Sequence, residues 1–164
     1  MKISIHNYIY LALLLILILK FNIANCQILT NSNLPIVIIN TGGVTIPDEP
    51  KIPASFKIIN NGPGLINNIN DFPNHYDGFC GIETRGNSTH GFQKKTYSNQ
   101  LWNTDDEDTS SSLLGMGKEE DWILHAMVID KSQVRIPFSF YVFQRMGHYA
   151  SNWRYVELII DGDY

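Results

Sequence analysis

The chain has 164 residues, with 12 Lys+Arg against 16 Asp+Glu for a formal net charge of -4; hydrophobic residues make up 44% and charged residues 17%. That apolar share excludes wholesale disorder, the length suits one domain, and the acidic balance excludes a general nucleic-acid binder, which needs a basic face. Two cysteines, Cys26 and Cys80, exclude both a disulfide framework and a four-cysteine zinc site.

Residues 1–26 read as a secretory signal peptide: Lys2 opens the chain, a short apolar run extends from Ile9 to Leu19, and Ala24 and Cys26 precede a cut before Gln27. The run is about half the roughly 20 residues that a spanning helix needs, so the expected chain is secreted or lumenal, with no stable membrane span after cleavage. Cleavage removes two lysines and no acid, and leaves Cys80 without a partner, packed as a small buried hydrophobe.

The mature chain, residues 27–164, predicts an α+β fold with an antiparallel-rich mixed sheet and one main helix. Residues 34–40 form a continuous β-branched run ended by Thr41-Gly42-Gly43, which predicts a buried strand and a turn. Residues 46–53 hold three prolines and read as a connector, residues 54–59 as a second strand, and residues 60–75 as an Asn/Gly-rich loop. Residues 76–85 and 92–97 predict a third and a fourth strand joined by Gly86-Asn87-Ser88-Thr89-His90-Gly91. The acidic stretch 103–112 predicts a solvated loop, without the ligand spacing of a calcium site.

Residues 130–146 predict the helix, with Asp130 and Ser132 as candidate caps and Val134, Phe138, Tyr141, Val142 and Arg145 on one stripe. Pro137 lies inside that pattern and predicts a kink or a later start. Residues 154–160 alternate as a strand, and Asp161-Gly162 is a hairpin-turn dipeptide. The strand that should return from this turn is missing, so the sequence reads as carboxyl-terminally incomplete.

The candidate chemistry centres on the third and fourth strands. The six-residue loop matches G-x-x-x-x-G, but Phe92 stands where a P-loop needs lysine, and the flanks predict strands rather than a helix, which excludes a P-loop. A different phosphate grip stays open: Arg85 offers a bidentate fork before the loop, and Lys94 and Lys95 offer point charges after it. Asp161-Gly162-Asp163 has the D-x-D form of some metal-nucleotide sites, although a turn explains the same residues. Asn87 opens the one glycosylation sequon. Trp102, Trp122 and Trp153 read as packing residues.

Several of these pieces, taken in order, resemble the CotH kinase family, named for spore coat protein H. The resembling blocks are residues 34–43, Gly81-Ile82-Glu83-Thr84-Arg85-Gly86-Asn87-Ser88-Thr89 with residues 92–97, Leu113-Leu114-Gly115-Met116, Asp121-Trp122-Ile123-Leu124, Asp130-Lys131-Ser132 with Arg135, and residues 155–164. The resemblance implies part of an amino-terminal lobe of an atypical protein kinase, one that moves phosphate from ATP, with Mg or Mn, to serine on a coat or secreted protein. Arg85 and either Lys94 or Lys95 would then hold the nucleotide phosphates, alternation placing only one lysine in the cleft. The family's catalytic and metal-binding aspartates belong to a carboxyl-terminal lobe with no counterpart here, so this chain is expected to be inactive or nearly so and to supply no catalytic or metal-binding residue. The alternative is a non-catalytic cell-surface or spore-coat binding protein.

Overall fold

A computed structural model describes residues 28–86 and 91–164. The expected signal peptide and the Asn87 sequon lie outside the described residues. The described elements are β1 (Asn31–Ser32), β2 (Ile36–Asn40), β3 (Ile52–Ile59), β4 (Asn67–Asn68), β5 (Tyr76–Arg85), β6 (Thr96–Trp102), β7 (Ser111–Ser112), β8 (Lys118–Glu119), β9 (Asp121–Leu124), α1 (Arg135–Arg145) and β10 (Glu157–Ile160).

The expected mixed sheet is present. Six strands lie in the order β10-β2-β3-β5-β6-β9, with β10 parallel to β2 and every other pair antiparallel. Two short ribbons, β1-β4 and β7-β8, flank it. The β-branched run of β2 sits between β10 and β3 and is covered on both faces, which is why it reads as unbroken rather than alternating. Val37 and Ile39 join Phe56, Ile58, Cys80, Ile82 and Leu101 in the main core, closed over by Leu113. Ile36 packs on the opposite side with Ile59 and Ile159.

Four boundaries differ from the sequence reading, each for a local physical reason. The connector 46–53 gives up Ile52 and Pro53 to β3. Pro53 is tolerated because β2 reaches only as far as Ser55, so Pro53 has one neighbour, β5, and breaks no central ladder. The fourth strand begins at Thr96, not Phe92; Thr96 pairs with Arg85, so the hairpin connection spans residues 86–95. The helix begins at Arg135, which puts Pro137 in the first turn, where amide hydrogens have no intrahelical acceptor. The last strand is shortened to Glu157–Ile160. The ribbons and β9 carry too few alternating residues to have been read as strands.

Asp130 anchors the helix from outside its first turn. Its Oδ2 accepts from the Arg135 amide at 2.8 Å, and its Oδ1 accepts from the Ser132 hydroxyl at 2.6 Å and the Ser132 amide at 3.1 Å. These bonds, the Ser132 hydroxyl first, hold the carboxyl below its ordinary range. Gly147, at φ +85°, ends the helix. The stripe Val134, Phe138, Tyr141 and Val142 faces solvent rather than the sheet.

Candidate functional site

Alternation along β5 puts Gly81, Glu83 and Arg85 on one face of the sheet. The register carries that face across the strands, because Gly81 lies opposite both Pro53 and Gln100, and Gln100 lies opposite Asp121. Lys51, one residue before β3, joins the same face: its Nζ donates to Gln100 Oε1 at 3.0 Å and lies 3.8 Å from Asp121 Oδ1. Glu49, Pro50, Lys51, Glu83 and Trp102 line an open recess of about 570 Å³ here. Its floor depends on a glycine. A Cβ on Gly81 would meet Trp102 Cζ2 at 2.1 Å, so the indole lies flush against bare backbone.

Arg85 is exposed at the last paired position of β5. Lys94, exposed, and Lys95, half-buried and engaged in an interaction of its own, immediately precede Thr96 on the returning chain. All three candidate cations therefore sit at one end of the β5–β6 hairpin. The lysines belong to the connection rather than to a strand, so strand alternation does not assign them to opposite faces. Gly86, at φ +98°, makes the departure from β5 in a conformation that side chains disfavour.

The other motifs have structural roles. Asp161 (φ +50°) and Gly162 (φ +87°) form a two-residue turn, closed by reciprocal bonds of 2.9 Å between Ile160 and Asp163. The Asp161 carboxylate turns back onto the end of β2: Oδ1 accepts from the Thr41 amide at 2.7 Å and Oδ2 from the Thr41 hydroxyl at 2.6 Å. The hydroxyl bond is the main reason that its pKa lies below the ordinary carboxylate range. Asp161 is thus committed to joining β10 to β2. In the acidic loop, Asn103 Oδ1 accepts from the amides of Asp105 and Glu107 at 2.8 and 3.0 Å, which folds the run into a turn. Among the described residues no group of three or more His, Cys, Asp or Glu side chains is placed to hold a metal ion. No described helix is long and apolar enough to cross a membrane.

Cys80 is a free, fully buried thiol whose pKa burial pushes up to about 12. Beside it in the core, Asn99 is fully buried, opposite Ile82 and Trp122, and neither side-chain polar atom has a hydrogen-bond partner.

Sequence reasoning named the three hairpin cations but missed Lys51 and Glu83, which share the sheet face of Arg85. The i, i+2 spacing of Glu83 and Arg85 was the available signal. Lys51 gave none, because Pro53 concealed the start of β3.

A family model described as CotH kinase protein matches residues 82–164, the stretch that runs from mid-β5 through the terminal turn. Searches of curated proteins and of solved structures gave no match.

Proposed function

The chain belongs to the CotH kinase family, and from that premise we propose that its β5–β6 hairpin holds the phosphate tail of ATP in a secreted, kinase-like protein. The observation that carries the reading is the gathering of Arg85, Lys94 and Lys95 at one hairpin end inside the matched stretch. A guanidinium can bind two phosphate oxygens in one plane, and ammonium groups add compact charge beside it. This donor set suits a polyphosphate. It does not suit a divalent metal, because guanidinium and ammonium groups offer no lone pair to a cation, so Mg or Mn would arrive on the nucleotide. Phosphate transfer to serine on a coat or secreted protein is the proposed activity, with these residues as its nucleotide-holding part. Nucleotide binding tests the hairpin directly.

Calorimetric titration of the purified chain with ATP and Mg²⁺ should show one site. Arg85→Ala should weaken it by about 10- to 100-fold, the equivalent of one charge-assisted contact. Combining it with Lys94→Ala and Lys95→Ala should abolish the heat, while Lys118→Ala, on β8, should leave affinity unchanged. An unaltered affinity in the triple variant refutes the hairpin assignment. A chain that binds no nucleotide at all favours the non-catalytic surface-binding alternative.

A further inference from the structure

Charge is divided sharply along the chain. Residues 105–121 contain seven acids and one cation, Lys118, whereas residues 131–156 contain four cations and no acid. The charged residues of both segments are exposed. On the basic segment, α1 buries only Pro137 and exposes Phe138 (64%) and Tyr141 (54%), and its flanking caps Val134 (52%) and Met146 (65%) are exposed too. On the acidic segment, β8 and its neighbours expose Glu119, Glu120 and Asp121, and β9, an edge strand of the sheet, exposes Ile123. Among the described residues no ion pair joins the two segments within one molecule.

We propose that the α1 face of one copy docks on the acidic β8–β9 edge of a second copy. The helix face has the composition of a protein interface, aromatic residues and methionine with arginine among them. Arg145 lies one turn beyond Tyr141 on the apolar stripe. A surface with carboxylates set around an apolar residue would pair that guanidinium while it covers the stripe. This chain presents such a surface in Glu119, Glu120, Asp121 and Ile123. Because the two patches differ, the contact is heterologous and propagates head to tail unless its rotation closes a ring. The exposed backbone of edge strand β9 leaves that side open to a neighbour. The inference is independent of the nucleotide reading.

Sedimentation velocity of the purified full chain tests it. The weight-average mass should rise with concentration at low salt and fall back toward the monomer at high salt, as screened charges require. Phe138→Asp with Arg145→Glu should remove self-association, and so should Glu119→Lys with Glu120→Lys. Mixing these two variants should give a heterodimer that grows no further, since each retains the face that the other has lost; misfolded variants would not form it. A wild-type chain that stays monomeric at every concentration overturns the proposal, as does a mixture that yields no heterodimer. Binding of the monomeric wild type to phosphatidylglycerol-containing vesicles, lost in the helix variant, overturns it in favour of a membrane.

Discussion

Gly81→Ala is the sharpest test of how the recess is built. The added methyl would lie 2.1, 2.5 and 2.6 Å from three Trp102 ring atoms, where carbon atoms normally rest about 3.5–4.0 Å apart. The ring must move by roughly 1 Å or more, and such overpacking costs about 1–3 kcal/mol. An overlap this close falls in the upper part of that range, about 2–3 kcal/mol, and removing a glycine from a strand returns about 0.5–1 kcal/mol, so the net loss should be about 1–2.5 kcal/mol. Urea unfolding followed by circular dichroism should show the midpoint falling by about 0.5–1 M with an unchanged slope. In a Trp102→Ala background the same change should be neutral or stabilising, because the obstacle is gone. A wild-type midpoint for Gly81→Ala, or an equal penalty in both backgrounds, refutes the packing argument.

Asn99→Leu should raise stability by about 1–3 kcal/mol in the same assay, since it removes a buried amide without partners; a loss would mean that the amide is satisfied. Phe56→Ala, at a residue 2% exposed and edge-on to Tyr76, should cost about 3–5 kcal/mol, and a cost below half of that contradicts its place in the core. Cys80 should resist a thiol reagent at neutral pH until the chain unfolds, because its thiol is buried and its pKa raised to about 12; rapid labelling of the native protein would contradict this. The depressed carboxyls of Asp130 and Asp161 contribute stability above their ordinary value of about 3.8, lost as pH falls through the lower native values. Asp161→Asn should therefore cost more at neutral pH than at about pH 2, and an equal cost at both would sink the Thr41 clamp.

The fold was legible wherever side-chain pattern and backbone need coincide. The β-branched run of β2, the full length of β5 and the Asp161-Gly162 turn all stand where composition puts them. The reading failed where a local signal contradicts its tertiary setting. Pro53 looks like a strand breaker, yet it sits beyond the reach of β2. Phe92 to Lys95 look like the opening of a strand, but the first pair to form is Thr96 with Arg85. The α1 stripe has the spacing of a core-facing helix and points to solvent, because periodicity identifies a face without saying what covers it. The hairpin cations could be found from sequence since they flank a glycine-bounded loop, whereas Lys51 reaches Gln100 only through a register that no local pattern encodes.

The most direct test of the phosphate-gripping hairpin is an amide chemical-shift map of the isotope-labelled chain, with ATP and Mg²⁺ added stepwise. The account predicts saturable shifts concentrated on Arg85, Gly86 and residues 91–96, absent when adenosine replaces ATP. Shifts confined to other strands, or none at saturating nucleotide, would contradict it.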